Sequence, residues 1–130
     1  MNVRNKNEKE RDILIFGEYN KDKYNGGIRY YDALTSEQLK ELHNSGFLDL
    51  ETCQNYSPSI GEFIEFMENH DNFVAHGYVV SVERDDYRVS VEGIEKEGDI
   101  SEQDIIDFAT FARYADDFVC DKEGLYCWWD

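Results

Sequence analysis

Positive charge is scarce in this chain, and the scarcity has a location. Residues 25–130 hold seven Lys or Arg against twenty-four Asp or Glu, a charge of −17. The first twenty-four residues hold six bases and five acids, which brings the whole chain to −16. A segment so poor in bases repels nucleic acid and anionic membrane and attracts basic surfaces. Long apolar runs are missing too. No stretch approaches the ~20 residues of a membrane span, and the N-terminal residues lack the apolar core of a secretory leader. Cysteine is sparse: three, an odd count with no C-x-x-C pair. That argues against a secreted disulfide framework and for a reduced, cytoplasmic setting.

The motifs of common chemistries are also lacking. Cys53, Cys120, Cys127, His43, His70 and His76 are scattered, without the tight pair a structural zinc site takes. Gly26-Gly27 precedes a strand rather than a helix and has no following Gly-Lys-Ser/Thr, so it reads as a turn and not a phosphate loop. No calcium-loop spacing and no nucleophile elbow occurs. Neither a metal nor a cofactor is expected, and no residue is assigned a catalytic role.

Aromatics are what the chain has in quantity. Eight Phe, nine Tyr and two Trp make up 15% of it, enough to build a core despite the charge. Residues 1–11 are polar and unpatterned and read as a flexible N-terminal arm; residues 12–130 read as a single domain. Residues 13–19, ILIFGEY, read as a buried strand that forms a hairpin with Ile28–Tyr31.

Three helices follow from their start signals. Thr35 with Gln38, Ser59 with Glu62, and Ser101 with Asp104 each have capping-box spacing. Leu34 and Leu39 form a hydrophobic staple, and Gly46 supplies a left-handed stop. Pro58, the only proline, separates the second helix from the segment before it.

Between the second and third helices the period changes to two. Residues 73–83 and 87–94 form an antiparallel hairpin, with His76, Tyr78, Val80 and Val82 assigned to its core face. A terminal hairpin covers Phe118–Cys120 and Leu125–Trp129, and could set Cys120 against Cys127. The fold class expected is α+β, an antiparallel sheet built from hairpins with three helices packed mainly on one face.

Candidate functional residues are few. Consecutive Trp128 and Trp129 point to opposite faces of a strand, so one of them, beside Tyr126, is expected outside as an interface anchor. Glu62, Glu65 and Glu68 form a short acidic stripe. Asp116 and Asp117 sit at a helix C-terminus, where the dipole disfavours acids unless they pair with a base or cap the next turn. His76 is a candidate buried functional histidine. These features point to a non-catalytic protein-binding module that meets a basic protein surface or a second copy of itself, with no direct nucleic-acid or membrane binding. A nucleic-acid mimic that blocks a DNA- or RNA-binding protein is the alternative, since twenty-four acids is the order of charge a duplex of similar length carries. A small enzyme with an unrecognised site is the third.

Overall fold

The computed structural model describes residues 4–130. Its helices are α1 (Glu8–Phe16), α2 (Ser36–Asn44), α3 (Ile60–Asn69) and α4 (Glu102–Phe111). Its strands are β1 (Ile28–Leu34), β2 (Val74–Val80), β3 (Val89–Glu97), β4 (Asp117–Cys120) and β5 (Gly124–Trp128). The strands form one antiparallel sheet in the order β1-β2-β3-β5-β4. The α+β class is as expected. Among the described residues the helices number four, not three, and only β2–β3 and β4–β5 are hairpins. β1 pairs with β2 across both α2 and α3.

The three capping boxes all form. In each, the N-cap hydroxyl accepts from the N3 amide and the N3 side chain accepts from the N-cap amide. At the end of α2, Gly46 takes a φ of 83°, its N–H donates to His43 O, and Phe47 N–H donates to Leu42 O. That is the Schellman closure, and it delivers Phe47 into the core, where the staple pair Leu34 and Leu39 from the start of the helix is also buried.

The segment 8–24 departs from expectation. Residues 13–19 are no strand: Ile13–Phe16 complete α1, which Gly17 ends in the left-handed conformation. The arm assigned to 1–11 is helical from Glu8 onward, with Arg11 fully buried. Arg4 and Asn5 are also engaged, through hydrogen bonds to Tyr87 O and Gly46 O. Met1–Val3 lie outside the described residues. The inner face of α1 is Glu8, Arg11, Asp12 and Ile15. The spacing is helical, but three of the four residues are charged, so the apolar periodicity that marks a helix is absent.

Those charges are satisfied inside the protein. Arg11 Nη1 donates to Val80 O at 2.8 Å, Nε to Asp12 Oδ1 at 3.0 Å, and Nη2 to the Tyr24 hydroxyl at 2.7 Å. Tyr24 in turn donates to Asp12 Oδ2. Glu8 accepts from Lys21 Nζ at 2.7 Å, from the Tyr19 hydroxyl at 2.8 Å and from the Val82 amide at 3.0 Å. Burial alone would raise the Glu8 carboxyl; these donors outweigh it and pull it down to about 2.

One face of the sheet packs on the helices. Tyr31, Ala75, Val79, Val89, Val91, Ile94, Leu125 and Cys127 join Leu39, Leu42, Phe63, Met67 and Phe108 in the core. His70 links two of the helices, with Nε2 2.9 Å from Asp107 Oδ2 and its ring stacked on Phe66. Lys96 pins α4 from below. Its side chain is 5% exposed, and its ammonium lies 2.9 Å from Asp104, the capping-box acid of α4. The assignment of faces on β2 is reversed: Ala75 and Val79 are fully buried, whereas His76 and Tyr78 are half-buried on the opposite face. Cys120 and Cys127 do not pair; their cross-strand partners are Leu125 and Phe118, and all three thiols are free.

Two stability measurements check this architecture. Asp104→Ala removes a cap and strands a buried ammonium, so it should cost about 3 kcal/mol. Glu62→Ala, at the same position of a solvent-facing box, should cost about 1 kcal/mol or less. Equal losses on urea unfolding would show that the Lys96 pair adds nothing. Glu8 is held below its ordinary value, so its contribution is present above the unfolded carboxyl pKa and fades as pH falls toward 2. Glu8→Gln should lower stability by about 3 kcal/mol at neutral pH and by much less near pH 2.

Candidate functional site

The face of the sheet turned away from the helices carries a line of aromatic side chains. Cross-strand neighbours Tyr30 and Tyr78 lie with ring centroids 5.8 Å apart. His76 stacks on Tyr126 at 5.1 Å with the rings nearly parallel. Trp128 follows two residues along β5, half-buried, with its Nε1–H donating to Glu92 at 3.2 Å. Tyr30 is 69% exposed. The register explains the line: Tyr30 pairs with Tyr78, Tyr78 with Ser90, His76 with Gly93, and Glu95 with Tyr126.

Glycine permits this packing at two points. A Cβ on Gly93 would lie 1.8 Å from Cys127 O and 2.8 Å from His76 Nε2. A Cβ on Gly77 would meet Ser90 O at 2.1 Å and the Tyr31 hydroxyl at 2.8 Å, and that hydroxyl crosses the sheet to donate to Ser90 O.

The loop before α3 closes one end of this face. Gln54 Oε1 accepts from the Tyr78 hydroxyl and from Ser90 Oγ, both at 2.9 Å, while its Nε2 donates to Trp129 O. A groove of about 530 Å³ runs between that loop and the β2–β3 turn, lined by Tyr30, Tyr78, Arg88, Gln54, Glu92 and Asp130. Its bases are already engaged. Arg84 grips Asp86 with two hydrogen bonds, and Arg88 donates to Asp86 and to the Tyr78 hydroxyl.

The carboxylates here are unlike the others in the chain. Burial raises Glu92, and Asp130 raises it further against the Trp128 hydrogen bond. Burial also raises Glu95, and its acting neighbours Glu97 and Asp32 push the same way. Both acids are therefore partly desolvated in a neighbourhood that disfavours their charge. His76 is held below its ordinary value, burial outweighing its hydrogen bond to Cys127 O and the pull of Asp32. Neutral His76 with its proton on Nε2 donates to that carbonyl at 3.0 Å.

The residues singled out from sequence are distributed as follows. Trp129 is 2% exposed and packs edge-on against Phe63 and Phe111, so it belongs to the core and is no surface anchor. Trp128 and Tyr126 lie half-covered on the open face beside His76. Glu62, Glu65 and Glu68 are exposed on α3, on the helix side of the sheet; Glu62 is spent on the cap and Glu68 pairs with Lys40 at 3.0 Å. Asp116 and Asp117 accept backbone donors, from Asp130 at 2.8 Å and Phe118 at 2.9 Å, which is how they tolerate their position. Sequence reasoning missed Tyr30, Asp32, Gln54, Glu92 and Glu95. Period-two alternation was the available signal for Tyr30 and Glu92, but the inverted face concealed it. Gln54 sits in an unpatterned loop that gives no signal.

Among the described residues no three His, Cys, Asp or Glu side chains converge as metal ligands would. No helix among them is long and apolar enough to cross a membrane. No protein-family model, no curated protein and no solved structure matches the chain.

The pH response of Glu95 is a direct check on this site. A carboxyl raised by folding binds its proton more tightly in the native state, so it opposes folding while ionised, and stability is regained as pH falls through the raised value. Glu95→Gln should therefore raise the melting temperature at pH 7 and leave it nearly unchanged near pH 4. Destabilisation by Glu95→Gln at pH 7 would show that the carboxylate has a favourable partner.

Proposed function

We propose that this protein is a non-catalytic binding module whose open sheet face receives a basic surface of a partner protein. One observation carries the reading: Glu92 and Glu95 are half-desolvated among Tyr126, Trp128 and His76 on a face that no helix covers. An antiparallel sheet often leaves one face to water, so openness alone indicates little. Acids held there against both burial and neighbouring acids are a different matter. A Lys or Arg brought to them relieves the penalty, and the aromatic rings supply flat apolar contact for its stem and for cation–π approach.

Charge also selects the partner. Two copies of a chain carrying −16 repel, which disfavours self-association through this face. A duplex mimic needs its acids gathered in one band. Here exposed acids occupy α2 and α3 on one side of the sheet, Asp32 and Asp117 on strands, and Asp85, Asp99 and Asp121 in turns. That spread favours a protein partner over mimicry. Three free thiols suit a cytoplasmic setting.

Titration of the ¹⁵N-labelled protein with a Lys- and Arg-rich peptide, at low and physiological salt, tests the reading. Shifts should concentrate on Tyr30, His76, Tyr78, Glu95 and Tyr126, and affinity should fall with salt. The Glu92→Gln/Glu95→Gln variant should bind about tenfold more weakly, the scale of one well-placed charge pair. Replacing Glu62, Glu65 and Glu68 by Gln should matter little. Shifts centred on α3, or unchanged affinity in the Glu92/Glu95 variant, would overturn it.

A further inference from the structure

The two edges of the sheet are treated differently. β4 is four residues long, and the Asp117 carboxylate takes the Phe118 N–H at 2.9 Å, which blunts that edge. β1 has no such protection. Ser81 N–H donates to Gly27 O, and with the register Ile28–Val80 to Tyr31–Gly77 the antiparallel alternation turns the N–H and C=O of Tyr30 away from β2. Outside the ladder with β2 neither group takes part in a backbone hydrogen bond among the described residues, so this alternation leaves both open at the edge.

A second groove, of about 320 Å³, runs along this edge between Ile15 and Phe16 of α1 and residues Arg29–Leu34 of β1. Its floor holds an incomplete guanidinium. Arg29 is stacked 3.6 Å above the Phe16 ring, its side chain is 11% exposed, and Nη2 reaches Glu18 only at 3.6 Å. Nη1 is buried with no acceptor. A buried donor left in this state is unfavourable until an acceptor arrives.

The edge also has an end. Ile28 already exchanges both main-chain hydrogen bonds with Asn25, at 3.1 and 2.9 Å, so no added strand can continue past it. A strand that enters antiparallel to β1 runs from Leu34 toward Ile28 and must stop beside Arg29. We infer that the C-terminal tail of a partner protein adds to the free edge of β1, with its terminal carboxylate on Arg29. Main-chain hydrogen bonds at Tyr30 supply strand addition, and the guanidinium meets the terminal carboxylate through a charge-assisted hydrogen bond. The register shift between Tyr31 and Leu34 keeps the added segment short.

This site uses none of the acids of the open face, so the two readings fail separately. The test is an array of random-sequence hexapeptides with free C-termini, each paired with its C-terminal amide. Free acids should bind at least about tenfold more tightly than their amides, the scale of a charge-assisted hydrogen bond. Arg29→Gln should erase that preference. Because Arg29 also packs on Phe16, Tyr30→Pro serves as the second variant: it removes the outward N–H, which an edge strand tolerates, together with the ring, and should abolish binding, whereas Tyr30→Ala, which removes the ring and keeps the N–H, should still bind the free acids. The Glu92→Gln/Glu95→Gln variant should bind the free acids unchanged. Acids and amides that bind alike, an array with no binder, or an acid preference that survives Arg29→Gln would each overturn the assignment.

Discussion

The Arg11 guanidinium is the constraint on which the N-terminal third of the structure depends. It is fully buried, and a buried charge is tolerated only if its neighbours return what water supplied. Asp12, Tyr24 and Val80 O do so, and Glu8 with Lys21 completes a cluster of two acids and two bases that is neutral as a unit. The cluster joins α1, the 3₁₀ turn at Lys21–Lys23 and the end of β2, elements with little apolar surface to share. Loss of any single member would leave an uncompensated charge inside the protein, whereas loss of a surface acid would go almost unnoticed. By fixing α1, the cluster also sets Phe16 under Arg29 and so forms one wall of the groove along β1.

The chain's acids then fall into two populations. Many have assigned structural work: Asp104 holds Lys96 and a helix start, Asp86 holds two arginines, Asp116 holds the Asp130 amide, and Asp121 holds turn amides. Such acids are stabilised by their donors, and the depressed carboxyls of Glu8, Asp86 and Asp104 record it. Glu92 and Glu95 are the reverse, raised by burial and by acidic neighbours, Glu92 despite its Trp128 donor. Net charge alone cannot separate these populations. It states how many acids there are, while the proposed binding rests on the few whose ionisation the fold opposes.

The same distinction explains what was legible in the sequence. The starts of α2, α3 and α4 rest on local chemistry, a hydroxyl and an acid or amide three residues apart, and such signals survive without tertiary context. The β2–β3 hairpin was readable from its alternation. α1 was not, because a helix that packs through Glu8, Arg11 and Asp12 looks like a polar tail until its partners 69 residues away are known. The partner of β1 was hidden for the same reason, being set by a pairing across two helices. The face of His76 was misjudged by size. Large side chains suggest a core, yet beneath the helices β2 carries Ala75, Gly77 and Val79, because Tyr31 reaches across Gly77 to Ser90 and fills that space itself. The bulky residues of β2 were therefore displaced to the open face. Of the Trp pair, opposite orientations were legible; which one the core would take was not, since that depends on Phe63 and Phe111.

β1 belongs to both surfaces described here, and this links them physically. The Tyr30 ring stands on the open face against Tyr78, while the Tyr30 amide faces the unpaired edge. A strand added at the edge would fix the Tyr30 backbone and restrict its ring, which at 69% exposure is now held only by Tyr78. Ordering that ring in advance would lower the entropy that a partner on the open face must overcome, so occupancy of either proposed surface would favour the other without a change of fold. A tail and a basic surface of the same partner would then engage as two linked contacts, each modest alone. Their joint strength would depend on the length of chain between them more than on any new contact.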